Sequence, residues 1–405
     1  MSKYVTALML VVMLVLTACT GAVPAAPAAA PAGGEAATEA AAPSGDVVEL
    51  KMGSWRVDDV KQMEAILAKF NEANPNIKIT FDPTNPPEYN ATLATQLETG
   101  TGPDLFYLRS FATSRNQFEQ GFLEDLTGLP GLDENFSKAS QVPWATEDGK
   151  PYGVPFIAVS HGVYYNKDIF SELGIEVPQT WEELLAASQK IKDAGYTPIA
   201  NGSGDTWTIA EIVFMNIAPT FIGGFEGRQA YLNGERCFND ENAVAAFQAI
   251  ADLAPFFPEG QEALTYYDSQ QLWLQGQAAM WFGGSWDIPF FEGEAPEFQW
   301  GVFGIPAPEG QDQRYVTFHL DAGMGLNSKS AHKEEAKKFL EWMSTEEFAA
   351  MMANELPGFF PIRNEAPAVE DPIANEFLAL NKDAGLDIRW AWEKLLDGSA
   401  RMAIR

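Results

Sequence analysis

Hydrophobic and polar positions alternate over Val47-Val48-Glu49-Leu50-Lys51-Met52, which predicts a strand. From about Asp58 the spacing changes. Val60, Met63, Leu67 and Phe70 recur at three- and four-residue intervals until Asn74-Pro75, the pattern of a helix with one apolar face. Ile77-Lys78-Ile79-Thr80-Phe81 alternates strictly as a second strand, and a second helix carries Tyr89, Leu93 and Leu97 on one face. Residues 100–103 break that helix, and Asp104-Leu105-Phe106-Tyr107-Leu108 reads as a buried third strand. Strand, helix, strand, helix, strand is the rhythm of a parallel sheet with crossover helices. The pattern returns after Tyr152. Residues 154–165 are a long apolar stretch, and Thr180-Trp181-Glu182-Glu183 predicts a capping box opening a helix to Gly195. Further helices are expected over residues 240–253, with Val244, Phe247 and Ile250 on one face, and over residues 268–275. Residues 278–282 predict a strand stopped by Gly283-Gly284. Ser330 is expected to cap a helix whose inner face carries Ala336, Phe339, Leu340 and Met343. No repeat of fixed period is present, so a solenoid is not supported.

The chain before the first strand lacks these periods. Residues 8–16 form a short, nearly unbroken apolar run that ends in Leu16-Thr17-Ala18-Cys19, with Lys3 as the only preceding positive charge. Such a run is too short for a permanent membrane span but suits a removable signal. Leu-small-small-Cys resembles a bacterial lipobox, in which the preceding peptide, here residues 1–18, is cleaved and the new N-terminal Cys19 is acylated. A plain secretory signal with an incidental cysteine is the alternative. Residues 19–45, rich in Ala and Pro, predict an extended, disordered tether. Two or three acyl chains, at about 0.8 kcal/mol per buried CH₂, would hold that tether on a membrane.

Composition narrows the chemistry. Residues 46–405 leave 360 positions for the folded part, more than one compact core usually holds, so two lobes are expected. With 56 acidic against 26 basic residues and a net charge of −30, nucleic acid and polyphosphates are disfavoured as ligands. Beyond Cys19 only Cys237 remains, which excludes an internal disulfide and a metal site built on cysteines. The three histidines, His161, His319 and His332, have no serine or cysteine nucleophile motif beside them. Gly223-Gly224 and Gly283-Gly284 lack the Lys-Ser/Thr of a phosphate loop, and Asp58-Asp59 lacks the calcium-loop spacing. No metal and no cofactor are expected. Paired carboxylates could serve a glycosidase, but among so many acids a pair carries little weight.

Aromatic residues set beside glycines, small polar groups and charges stand out instead. Gly53-Ser54-Trp55-Arg56 follows the first predicted strand and Arg109-Ser110-Phe111 the third; Gly283-Gly284-Ser285-Trp286-Asp287, His319-Leu320-Asp321 and Pro357-Gly358-Phe359-Phe360 are placed similarly. Ligands of open α/β sheets sit beyond the carboxyl ends of strands. An exposed Trp offers a flat apolar face, while Arg and Asp make strong hydrogen bonds. A sugar ring has one C–H face and a rim of hydroxyls, which matches that combination, although core packing accounts equally well for any single Trp.

Several segments, in order, resemble the extracellular solute-binding proteins of ABC importers, in the branch of maltose and multiple-sugar binders. The most diagnostic is Gly162-Val163-Tyr164-Tyr165-Asn166-Lys167-Asp168-Ile169-Phe170-Ser171-Glu172. Thr99-Gly100-Thr101-Gly102-Pro103-Asp104, Gln120-Gly121-Phe122-Leu123-Glu124-Asp125-Leu126, Gly276-Gln277-Ala278-Ala279-Met280, Gly284-Ser285-Trp286 and Phe339-Leu340-Glu341-Trp342-Met343-Ser344 also fit, and the likeness runs from about residue 47 to 365. It implies a two-lobed periplasmic-binding-protein fold (type II), two α/β domains joined by a multi-segment hinge with ligand in the cleft between them. By position, residues 46–158 and 321–365 would form the first lobe and residues 159–320 and 366–405 the second, with crossings near 158–162 and 317–321.

The resemblance implies that Arg56, Arg109 and Ser110 line the first lobe's side and that Trp286 stacks on the ligand from the second. Trp55, Tyr89, Asp287, Asp321 and Phe359 complete the candidate set, with His161 and His319 at the crossings and Trp207 as a second-lobe candidate from composition. The function implied is that of a binding protein, not an enzyme: it captures a carbohydrate and delivers it to the permease subunits of an ABC importer. It is expected to act as a lipid-anchored monomer on the periplasmic or cell-surface side. The same fold carrying ferric iron through Tyr164-Tyr165 or Tyr266-Tyr267, a polyamine or a peptide is the first rival, and an extracellular glycosidase the second. Members of the family usually continue with further helix after Trp390-Ala391-Trp392, so a shortened second lobe is expected here.

Overall fold

In the computed structural model, which describes residues 47–388, the first alternation becomes β1 (Val48–Ser54), with Leu50 and Met52 buried. Cys19, the tail before the first strand, Trp390 and Trp392 lie outside the described residues. α1 (Val60–Ala73) buries Met63, Ile66, Leu67 and Phe70. β2 (Ile77–Pro83) then pairs parallel with β1. α2 (Pro86–Thr99) buries Tyr89, Leu93 and Leu97 and ends at Gly100, whose φ of 74° supplies the left-handed cap. β3 (Leu105–Arg109) pairs parallel with the other edge of β1, completing the expected crossover unit. α3 (Ala112–Glu119) and two short helices, α4 (Leu132–Asn135) and α5 (Lys138–Gln141), lead to β4 (Val154–Asn166).

Beyond β4 come α6 (Lys167–Leu173), α7 (Trp181–Asp193) and β5 (Thr197–Ile199). A π-helical turn, Thr208–Val213, runs into α8 (Phe214–Ile222), followed by α9 (Gly224–Leu232), α10 (Glu241–Leu253) and α11 (Tyr266–Leu274). β6 (Ala278–Gly284), α12 (Ile288–Glu294) and β7 (Trp300–Phe303) precede the long return strand β8 (Tyr315–Leu326). α13 (Lys333–Met343), α14 (Glu346–Glu355), β9 (Phe360–Pro361), α15 (Pro372–Lys382) and β10 (Gly385–Asp387) close the described chain.

These strands form one continuous sheet whose main path runs β2-β1-β3-β8-β4-β6-β5. β4 and β8 connect its two ends by changing partners along their length. From Val154 to Ser160, β4 pairs antiparallel with β8; from His161 onward it pairs with β6 and β7. β8 pairs with β10 over Tyr315 to Thr317 and with β3 over Ala322 to Leu326. Near the first end, Leu105, Phe106, Leu108, Met324 and Phe339 belong to one large apolar cluster. At the other, Val163, Ile169, Leu184, Ile217, Met280 and Phe282 build a second.

Local details depart from the sequence reading for physical reasons. Thr180 accepts the Glu183 N–H as expected, but the Glu183 carboxylate accepts the N–H of Gln179 at 2.7 Å, one residue before the cap, so the box is not reciprocal. In α10 the buried positions are Ala243, Ala246, Ala249 and Leu253, and Val244 is 53 % exposed. The small alanines let this helix settle against α8, where Phe247 stacks on Phe214 with ring centroids 5.1 Å apart. α11 begins two residues earlier than its pattern suggested, because Thr265 and Asp268 form a reciprocal capping box. His332, not Ser330, precedes the first turn of α13; the Ser330 hydroxyl instead donates to Asp104 at 2.6 Å. β6 runs through both glycines rather than stopping at them.

Candidate functional site

The turn after β1 and the turn after β6 meet through Arg56. Its Nε donates to Asp59 Oδ2 at 2.6 Å and its Nη2 to Asp59 Oδ1 at 2.8 Å, a two-pronged pair between buried side chains. The same Nη2 donates to the carbonyl of Trp286 at 3.2 Å, and the guanidinium lies 5.0 Å from the ring of Phe359. Trp55 stands edge-on to Tyr89 and Tyr107, at 5.5 and 5.4 Å, under the guanidinium of Arg109 at 3.7 Å. Ser110 donates to the carbonyls of Leu320 and Asp321, which ties the end of β3 to β8.

On the facing side, the Trp286 indole packs onto the backbone of Gly284, where a Cβ would lie 2.1 Å from the ring. Gly358 has a φ of 88° and a Cβ there would sit 2.0 Å from the Ser285 carbonyl oxygen, so this turn closes only around glycine. Trp286 Nε1 donates to Tyr266 OH at 3.0 Å, and its ring is edge-on to His161 at 5.0 Å. His161 lies 5.6 Å from His319, whose Nε2 is 3.1 Å from Asp321 Oδ1. The Trp207 ring is 4.8 Å from that of Tyr266. Every candidate residue therefore falls in one connected cluster around the place where β4 and β8 change partners.

Within that cluster several roles differ from those expected. Asp287 has no free face for a ligand: its carboxylate accepts from Tyr266 OH, Gln270 Nε2 at 3.0 Å, Trp281 Nε1 at 2.9 Å and the Gly284 N–H at 3.3 Å, so it positions its neighbours. Tyr89 donates its hydroxyl to the Tyr107 carbonyl at 2.7 Å and supports Trp55 from beneath. Ser110 and Phe359 are buried braces rather than open contacts. Trp55 and Trp286, expected to be exposed, retain 5 % and 6 % exposure, because Trp55 lies against Tyr89, Tyr107 and Arg109 and Trp286 against His161, Tyr266 and Gly284. His319-Leu320-Asp321 lies inside β8, not beyond a strand end. The sequence reading missed Asp59 and Gln270. The three-residue step from Arg56 to Asp59 was a usable signal for the first; nothing local marks the second.

Burial outweighs the hydrogen bonds from Tyr266, Trp281 and Gly284 and pushes the Asp287 carboxyl up to about 6. A carboxyl whose folded-state value is raised holds its proton more tightly when folded, so its contribution to stability falls as pH rises from about 4 through about 6. Urea unfolding at pH 4.5 and pH 7 checks this. Wild type should lose about 2 kcal/mol more between those pH values than Asp287→Asn, and equal pH dependence in the two proteins would refute the assignment.

Residues 54–350 match the model of the bacterial extracellular solute-binding protein family. The chain belongs to this family. Among its relatives, an uncharacterized ABC transporter extracellular-binding protein of Pyrococcus horikoshii is 27 % identical over 345 residues, 82 % of this chain and 76 % of that protein. The multiple sugar-binding protein of Streptococcus mutans is 26 % identical over 303 residues, 70 % and 69 % of the two chains. A solved solute-binding protein in complex with raffinose superposes with a TM-score of 0.73 at 24 % identity, covering 88 % of this chain and 97 % of its own. The solute-binding protein thus has the two-lobed α/β fold that its sequence implied, and its family places it outside the cytoplasm. Family members are binding proteins rather than enzymes.

Proposed function

We propose that this solute-binding protein captures a neutral mono- or oligosaccharide between its lobes and delivers it to the permease subunits of an ABC importer. On this reading residues 46–158 and 321–365 form the first lobe, residues 159–320 and 366–405 the second, and acylated Cys19 keeps the monomer beside its importer through the tether of residues 19–45. The observation that carries the proposal is the contact of Arg56 with the Trp286 carbonyl, which joins the indoles and carboxylates of the two turns, with Arg109 from the end of β3 over Trp55. Flat apolar faces rimmed by charged hydrogen-bonding groups suit a pyranose, and the relatives named for multiple sugars and raffinose support the same class.

Ligand that touches both lobes favours the closed state, and a shift from mostly open to mostly closed needs about 5.5 kcal/mol of differential binding. Ring stacking and several charge-assisted hydrogen bonds made only on closure are of that order. A ferric cargo fits less well. Burial holds the Tyr164 and Tyr266 phenols well above their ordinary range, whereas iron ligation needs phenolate, and their hydroxyls already donate to Gly284 and Asp287.

A thermal-shift panel of neutral mono- and oligosaccharides tests the reading, since a ligand of the native state stabilises it by RT ln(1 + [L]/Kd). At 100-fold excess over Kd at least one sugar should add about 2.7 kcal/mol, with and without the tether, and leave no cleavage product. No shift with any sugar would overturn the proposal.

A further inference from the structure

Most polar groups of the cluster satisfy one another; of those that do not, three lie together. Among the described residues, Trp207 Nε1 and Tyr267 OH are buried without a hydrogen-bond partner. The Asp58 carboxylate makes one long contact, 3.9 Å to Arg56 Nη2, whose shorter bonds go to Asp59 and Trp286. Two of the groups flank Tyr266, the Trp207 ring at 4.8 Å and Tyr267 edge-on at 5.6 Å, and Asp58 is linked to it through Arg56 and Trp286, whose Nε1 donates to Tyr266 OH at 3.0 Å. They belong to segments far apart in sequence, the turn before α1, the turn before the π-helical segment and the first turn of α11. Buried donors left unmet destabilise a fold, so their retention at one place points to a ligand that meets them.

Their chemistry restricts that ligand. An indole N–H only donates, an ionised carboxylate only accepts, and a phenol does either. An ammonium group satisfies Asp58 but cannot accept from Trp207. A carboxylate accepts from Trp207 and Tyr267 but is repelled by Asp58. A hydroxyl donates to the carboxylate and accepts from the indole and the phenol together. We propose that Asp58, Trp207 and Tyr267 form a hydroxyl-selective recognition point that favours uncharged sugars over uronic acids and amino sugars. This rests on the carbohydrate reading above.

The test is isothermal titration of wild type, Tyr267→Phe, Trp207→Phe and Asp58→Asn with raffinose, maltotriose, glucose and galactose, and with glucuronate, galacturonate and glucosamine. Wild type should bind at least one neutral sugar and bind the charged sugars at least tenfold more weakly. Each Phe variant should weaken the neutral sugar about fivefold, and Asp58→Asn more than tenfold, the scale of neutral and charged hydrogen bonds. Asp58→Asn should also narrow the discrimination against the uronates. The melting temperature without ligand separates recognition from folding. Tyr267→Phe removes an unmet hydroxyl and should melt at or above the wild-type temperature, whereas a structural role would lower it. Unchanged neutral-sugar affinity in both Phe variants, or equal wild-type affinity for a uronate, overturns the inference alone. A wild type that binds none of the neutral sugars overturns the carbohydrate reading and this inference with it.

Discussion

Arg56→Ala is expected to lower the stability of the protein by about 3–5 kcal/mol, the largest loss from any single charge removal at the site. Asp59 is 2 % exposed and takes both prongs of the guanidinium, so the variant leaves a buried carboxylate with no counter-charge. It also frees the Trp286 carbonyl and uncovers the ring of Phe359. Arg56→Lys should recover only part of the loss, because an ammonium cannot reach both carboxylate oxygens and the Trp286 carbonyl in one plane. The double variant Arg56→Ala/Asp59→Ala should be more stable than Arg56→Ala, since the buried carboxylate that Arg56 held in two prongs is gone with it. Chemical denaturation of the four proteins checks the series; a loss below about 1 kcal/mol in Arg56→Ala would place the pair among ordinary surface bridges.

Trp286→Ala is expected to remove the sugar-induced thermal shift and to cost about 3–5 kcal/mol of stability, as deletion of a large buried aromatic does. The indole contacts His161, donates to Tyr266 and lies on Gly284, so its loss opens a cavity in the middle of the cluster. Trp286→Phe separates the two effects. It keeps an aromatic face but loses the donor to Tyr266, and should retain most of the stability while binding sugar about tenfold more weakly. A sugar shift of equal size in Trp286→Ala and wild type would remove Trp286 from the ligand surface.

The first crossover unit was legible because most of its elements bury a single face: β2 and the first half of β1 alternate, α1 and α2 carry their apolar residues at helical spacing, and β3, buried on both faces, reads as a short apolar run. α10 misled for the opposite reason, since alanines define its buried face and the bulkier Val244 points outward. At the site, residue types beside glycine located the right turns. Their roles were not legible, because the partners come from distant segments: nothing near Asp287 announces that Gln270 and Trp281 will converge on its carboxylate. The burial of Trp55 against Tyr89, Tyr107 and Arg109, and of Trp286 against His161 and Tyr266, likewise comes from residues distant in sequence.

β8 lies between β3 and β4 in the sheet although it is made long after both. Until Ala322 to Leu326 arrive, the inner edge of β3 has no strand to pair with, and the first half of the chain cannot finish its own sheet. Folding must therefore wait for nearly the whole polypeptide, which makes it slow and leaves an open strand edge while synthesis continues. Neither half should therefore fold when expressed alone, and far- and near-UV circular dichroism of the two halves checks this.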